Sequence, residues 1–253
     1  MNPKRAFTLI ELLVVIAIIG ILAALLLPVL ARTKQRAAQI QCVSNFKQAG
    51  VGLQLYLDEA NDQLPPGGGP DAPVYLDLTD SAAYSASLTN FLPFYLATYL
   101  SLPPPSAFSA PGANGVVRVL LCPGYLRGLP GNTYAHYNPD VDNFASTFSY
   151  SLSRVSNPPM DKLPGYPFGK RNQEQGSLTL AAIGAAAPLS EAWAVADIDW
   201  VAYGFDDPAS AQSFFGSGKY EFMAMNPSHK TSRNYLYFDM HVGSKPVGGP
   251  EDF

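Results

Sequence analysis

The 253 residues are 47% apolar and 14% charged, with a net charge of −4, which leaves sequence for one sizeable globular body beyond any membrane run. The 23 prolines and 21 glycines imply much irregular chain. Six of the 16 basic residues precede residue 48 against one acid, Glu11, leaving ten basic and 19 acidic residues beyond; so acidic a body argues against nonspecific nucleic-acid binding.

The first element is the run FTLIELLVVIAIIGILAALLLPVLA, Phe7 to Ala31, apolar apart from Glu11 and flanked by Lys4 and Arg5 before it and Arg32, Lys34 and Arg36 after it. About 25 helical residues at 1.5 Å each are enough to span a hydrocarbon core of about 30 Å. Three readings compete. A secretory signal peptide fits the charged start and a small-residue cleavage site at Val29-Leu30-Ala31, but its apolar region is shorter, about 7–15 residues. A plain membrane anchor leaves Glu11 unexplained, since a carboxylate near a membrane helix centre costs roughly 2.5–3.5 kcal/mol. The third reading makes the run part of an assembly device.

That reading comes from a resemblance. Arg5-Ala6-Phe7-Thr8-Leu9-Ile10-Glu11 closely resembles the cleavage motif of type IV prepilins and type II secretion pseudopilins. The resemblance implies that a prepilin peptidase and N-methyltransferase cuts between Ala6 and Phe7 on the cytoplasmic side and methylates Phe7. Glu11 is then the fifth mature residue, where the family keeps its glutamate. Alanine stands before the cut where the family commonly has glycine. In a filament, the resemblance implies, the terminal ammonium of one subunit neutralises the carboxylate of its neighbour, and a buried charge is tolerated when paired. The charges flanking the run are nearly balanced and do not orient it. The family does, with the leader in the cytoplasm.

The helix continues past the run. Ile40, Val43, Phe46, Gly50, Leu53 and Leu57 recur at spacings of three and four and predict one apolar stripe. A single helix over about 7–59 follows, on the order of 80 Å long, with Pro28 and Gly20 as soft points. The basic collar at 32–36 suits anionic headgroups or simply a solvated helix start. Cys42 and Cys122 are the two cysteines. They are either a disulfide or two free, buried, apolar side chains, and two cysteines alone cannot build a structural zinc site. Cys42 to Gly50, with Leu53, Tyr56, Leu57 and Asn61 to Pro65, looks like the Cys-x-Asn-Asn-Leu-Lys-Gln-Leu-Gly helix of PulG-like pseudopilins. These occur in large paralogous sets in planctomycete- and verrucomicrobia-type bacteria. Ser44 replaces the first asparagine.

The stretch from Asn61 to Pro73 ends the helix. A short helix is predicted within 88–100, broken by Pro93, then a Pro/Ser/Ala/Gly loop over 101–115. Strands are expected at 116–122, 148–155, 177–183, 192–198 and 220–225. A closing hairpin joins 234–239 to 241–245 around Asp239-Met240. The Leu-Cys-Pro at Cys122 also resembles the family, whose second cysteine often precedes a proline after a strand, and this raises the case for a Cys42–Cys122 bond. The body is then a small, mostly antiparallel sheet laid on the helix.

The C-terminal stretch from His229 through Asp239, His241 and Val242 resembles the family's signature of a histidine, nine residues and Asp-Gly-His-Val. Nine residues separate His229 from Asp239, and Met240 replaces the glycine that suits a tight hairpin. His229, Asp239 and His241, with Asp197 and Asp199, have metal-ligand chemistry. Pinning of the last hairpin is the plainer reading of them. In an extended strand Asp239 and His241 face one side, and the turn at Asp239-Met240 spoils that. If a cation binds at Asp197, Asp199 and Asp239, calcium is favoured, because some pseudopilins hold one near their C-terminal end. No nucleophile elbow, P-loop, nucleotide fingerprint or CxxC occurs, and Gly67-Gly68-Gly69 lies in a proline-rich loop. Trp193, Trp200 and Tyr203 form either a glycan-binding face or, for Trp193 above all, core.

The expectation is an α+β, type IV pilin-like chain: leader 1–6, membrane or filament-core half-helix 7–31, amphipathic half-helix 32–59 and β-rich periplasmic or extracellular domain 60–253. It is a non-enzymatic pseudopilin of the inner membrane, without an obligatory cofactor. Its partners are the prepilin peptidase, other pilin-like subunits and membrane lipid, and not nucleic acid. The alternative is a membrane-anchored module that binds a glycan or polymer through aromatic loops.

Overall fold

The computed structural model describes residues 9–65, 83–88, 92–110, 113–124, 150–152, 167–168, 176–197, 229 and 231–247. The expected strand at 220–225, and Phe7, Asp199, Trp200 and Tyr203, lie outside them.

Helix α1 runs unbroken from Leu9 to Glu59, with Pro28 inside it. Pro28 cannot donate to the carbonyl of Ala24. Just beyond, the Thr33 hydroxyl donates to the Val29 carbonyl at 2.9 Å. The helix ends where Asn61 and Asp62 take positive φ, 52° and 61°, a conformation these short polar residues tolerate. The Asp62 N–H turns back to the Leu57 carbonyl at 2.9 Å, and the Leu64 N–H is received by the Leu178 carbonyl at 3.0 Å. The end of the rod is thus tied to the body.

No residue from Leu9 to Ala37 is buried; burial starts at Ala38. The buried stripe is then Cys42, Asn45, Phe46, Ala49, Gly50, Leu53 and Leu57. Ile40, expected on that stripe, is 70% exposed. It sits two residues, about 200°, around the helix from Cys42, and Cys42 is what the body holds. Gly50 marks the closest approach: a Cβ there would come 2.9 Å from Leu236 Cδ1. A residue that weakens a helix interior by roughly 1 kcal/mol here lets the helix lie close on the sheet.

Among the described residues the body has two sheets. Strands β1 (Ala83–Tyr84) and β2 (Gly115–Val116) form an antiparallel pair. The larger sheet has order β3 (Tyr150–Leu152), β4 (Trp193–Asp197), β5 (Ser232–Tyr237) and β6 (Val242–Pro246), with every neighbouring pair antiparallel. A register shift falls between Trp193 and Val195. Phe46, Leu53 and Leu57 of α1 share one core with Leu96, Val117, Leu120, Ile183, Leu236 and Phe238.

Three local expectations are corrected. Within 116–122 only Val116 is strand; Arg118–Leu120 is a 3-10 turn, which carries the chain round so that Cys122 meets α1. Within 177–183 there is a helix, α3 (Leu180–Ala186), after α2 (Leu92–Leu96). The Thr179 hydroxyl caps α3, accepting from the Ala182 N–H at 3.2 Å, and an alanine-rich segment with such a cap favours helix over the two-residue alternation of Leu178 and Leu180. Pro93 opens α2 rather than breaking a helix, because a first-turn residue needs no N–H.

Candidate functional site

The projecting half of α1 presents an exposed apolar surface. An 18-residue window in it has a mean hydropathy of 3.2 and is 0% buried. It rises about 45 Å from the body at 1.5 Å per residue. Leu9, Ile10, Ile16, Ile21, Leu25 and Leu27 are all more than half exposed. So large an apolar surface requires cover from lipid or from other protein. Glu11 lies in the first turn of the described helix, where the helix dipole favours a negative charge. The exposed Arg32, Lys34 and Arg36 separate this rod from the body. Ala6 and Phe7 lie outside the described residues.

Where the rod enters the body, the buried face of α1 turns polar and covalent. Cys42 and Cys122 form a disulfide with Cα atoms 5.3 Å apart. One turn on, buried Asn45 donates from Nδ2 to the Leu121 carbonyl at 2.9 Å and accepts from Gln41 Nε2 at 2.9 Å. Gln39 Nε2 donates to Ser232 Oγ at 3.1 Å. The helix is therefore clamped to the 121–122 segment by one covalent bond and one buried hydrogen bond.

Beneath the clamp lies His229, buried, with Nε2 3.4 Å from Cys122 Sγ and 3.5 Å from Asp197 Oδ2. Asp197 closes β4, is 1% exposed, and takes the Asn234 N–H at 3.0 Å and Nδ2 at 2.8 Å on that same oxygen. The Ser244 hydroxyl in turn donates to Asn234 Oδ1 at 2.5 Å, which carries the network into β6. Burial lowers the His229 pKa to about 4, so the ring is neutral at pH 7. Its Nδ1 has no hydrogen-bond partner among the described residues.

The other half of the C-terminal signature lies at the far end of β5. In the turn after Tyr237, Asp239 Oδ1 meets His241 Nδ1 at 2.5 Å and accepts the His241 N–H at 3.2 Å. The His241 ring stacks on Tyr237, with centroids 4.2 Å apart. The turn joins Asp239 and His241, where it was expected to part them. Met240 takes φ 65°, and its side chain packs on the main core, offsetting a strain that glycine would avoid.

Asp197 lies beside Asn234 in the sheet, and Asp239 lies in the turn beyond Tyr237, the end of β5, which is itself three strand positions, about 10 Å at 3.3 Å per residue, past Asn234. These two do not form one calcium cage, and Asp199 lies outside the described residues. Trp193 is 4% exposed and packs with Ala196, Tyr235 and Tyr237, so it does not offer an open aromatic face. Sequence reasoning missed Asn45 and Asn234. The available signal was an amide at a stripe position of α1, and another at the head of an otherwise aromatic and aliphatic strand.

Residues 1–27 match the prokaryotic N-terminal methylation motif. Over 59 residues the chain is 49% identical to the type IV major pilin protein PilA of Myxococcus xanthus (strain DK1622), covering 23% of this chain and 27% of that protein. Over 55 residues it is 42% identical to the type II secretion system core protein G of Escherichia coli (strain K12), covering 22% and 38%. The chain thus spans well under half the length of these curated relatives. No solved structure matches it. A pilin-type methylation motif, one apolar N-terminal helix and an α+β body of small antiparallel sheets are together consistent with the pilin fold.

Proposed function

We propose that the protein is a structural, pilin-like subunit. It is inserted in the inner membrane with residues 1–6 in the cytoplasm, cut between Ala6 and Phe7, methylated on Phe7, and packed through the projecting half of α1 into a pseudopilus or pilus-like filament. The single observation that carries this reading is the wholly exposed apolar rod, with its carboxylate at the tip, joined to a methylation motif. A plain anchor needs the rod but not Glu11 so close behind such a motif. In the assembled state Glu11 faces the terminal ammonium of a neighbour, Pro28 lets the rod adjust, and the acidic body faces outward. Secretion pseudopilins and pilins both fit this description, since the physical requirement is the same: cover for the rod and a counter-charge for Glu11.

Two measurements test it. Mass spectrometry of protein expressed with a prepilin peptidase is expected to find N-methyl-Phe7 as the first residue. Met1 retained leaves a plain anchor, and Arg32 first leaves a cleaved signal peptide. Glu11→Ala is expected to leave membrane insertion and the body's melting temperature unchanged while abolishing incorporation into sheared filaments. Normal incorporation of that variant refutes the assembly role.

A further inference from the structure

The cluster beneath the clamp has a chemistry the assembly reading does not use. Cys42, Cys122 and His229 are all buried, and their Sγ, Sγ and ring-nitrogen atoms lie within 4.8 Å of one another. The Asp197 carboxylate, whose Oδ2 is 3.5 Å from His229 Nε2, borders this group of three as a fourth donor. We infer that the reduced protein binds one Zn²⁺ through Cys42 Sγ, Cys122 Sγ, His229 Nε2 and the Asp197 carboxylate, so that the two cysteines close the body covalently when oxidised and, with His229 and Asp197, through a metal ion when reduced.

The distances carry this. Around a tetrahedral zinc with Zn–S of about 2.3 Å and Zn–N or Zn–O of about 2.0–2.1 Å, a sulfur and a nitrogen stand about 3.6 Å apart, and a nitrogen and an oxygen about 3.4 Å. Cys122 Sγ to His229 Nε2 is 3.4 Å, and His229 Nε2 to Asp197 Oδ2 is 3.5 Å. Two edges of the tetrahedron are therefore already in place. The pair of sulfurs must open to about 3.8 Å, roughly 1.7 Å beyond a covalent disulfide, and the carboxylate must close on the sulfurs, since the two sulfurs and the ring nitrogen alone lie within 4.8 Å of one another. Two thiolates, one imidazole and one carboxylate suit zinc rather than calcium or magnesium. The carboxylate is already oriented by Asn234 N–H and Nδ2, the kind of outer support that fixes metal ligands.

The chemistry balances. A dithiol reduces the disulfide: two electrons and two protons pass to the sulfurs of Cys42 and Cys122, and the dithiol becomes its own disulfide. Zn²⁺ then displaces both thiol protons to solvent, forming two Zn–S bonds, one Zn–N bond and one Zn–O bond. A phosphine reductant performs the first step in vitro, ending as the phosphine oxide.

The test uses the tag-free full-length chain in detergent micelles, reduced with a phosphine under nitrogen, mixed with ZnCl₂ and gel-filtered. About one zinc per chain is expected in the reduced protein and none in the oxidised protein. Co²⁺ in place of zinc is expected to give thiolate-to-cobalt charge transfer and intense tetrahedral d–d bands. The melting temperature of the reduced chain is expected to rise with Zn²⁺ and not with Ca²⁺. His229→Ala is expected to lose the stoichiometric metal and to change the cobalt spectrum, while His241→Ala, in the exposed turn, retains both. Should His229→Ala fail to fold, counting sulfur and nitrogen neighbours by X-ray absorption on the wild-type zinc form decides the ligand set. The inference is overturned by a reduced chain that retains no zinc, by a melting temperature that zinc does not move, or by His229→Ala binding metal with an unchanged spectrum.

Discussion

Replacing Cys42 and Cys122 together by alanine removes the bond that joins α1 to the segment after Arg118–Leu120. The bond spans a sequence separation of 80 residues. For a loop of that size the chain-entropy relation gives about 4.5 kcal/mol at 25 °C. Both sulfurs occupy positions that are 0% exposed, so the alanines also leave small gaps that add to the loss. A decrease of about 4–5 kcal/mol is a large part of the roughly 5–15 kcal/mol that holds a typical domain. Equilibrium urea unfolding of the full-length protein in micelles measures it, with chelator present and tryptophan fluorescence as the probe, because Trp193 lies buried in the sheet. The midpoint is expected to fall sharply and the slope to steepen, since an unfolded chain without the cross-link exposes more surface. A loss under about 1 kcal/mol would refute the reasoning, and would mean that Asn45 and the core hold the segment without the bond.

Two further outcomes are expected. Asn45→Ala strands the buried Leu121 carbonyl, which now accepts from Asn45 Nδ2 at 2.9 Å, and is expected to cost about 1–3 kcal/mol with an unchanged urea slope; a midpoint equal to wild type would show that the carbonyl has another donor. In the oxidised protein, His229 has a pKa of about 4 folded against 6.5 unfolded. The unfolded chain therefore takes up its proton first as the pH falls, and stability is full above about 6.5 and lost by about 4. A shift of this size corresponds to roughly 3 kcal/mol. Among the described residues, Asp197 and the disulfide face the ring. His229→Gln is expected to flatten the stability profile in that window, and a profile parallel to wild type would refute the assignment.

Features set by short-range pattern could be read in advance. An apolar run of about 25 residues predicts a helix long enough to cross a membrane, and the stripe at spacings of three and four carried it on to Glu59. Asp239-Met240 marked the last hairpin, though Met240 holds its positive φ through packing against the core. The segments that misled, 116–122 and 177–183, are short, apolar and ambiguous in period. A threonine cap decided one of them, and the disulfide together with the Asn45–Leu121 hydrogen bond decided the other. Ile40 lies off the buried stripe because the body grips Cys42, Asn45 and Gly50 rather than the aliphatic residues of the helix.

What the sequence by itself determined is the part whose environment is uniform: the rod, its charge at Glu11, its collar and its processing motif. A membrane or filament core imposes one rule on every side chain of such a helix, so composition suffices. What only the tertiary structure decided is the meeting of Cys42, Cys122, Asp197, His229 and Asn234 under the clamp, and the parting of Asp197 from Asp239. Those relations join residues up to 192 positions apart, from Cys42 to Asn234. They are fixed by how strands β4 and β5 pair and where α1 crosses them, which no local spacing encodes.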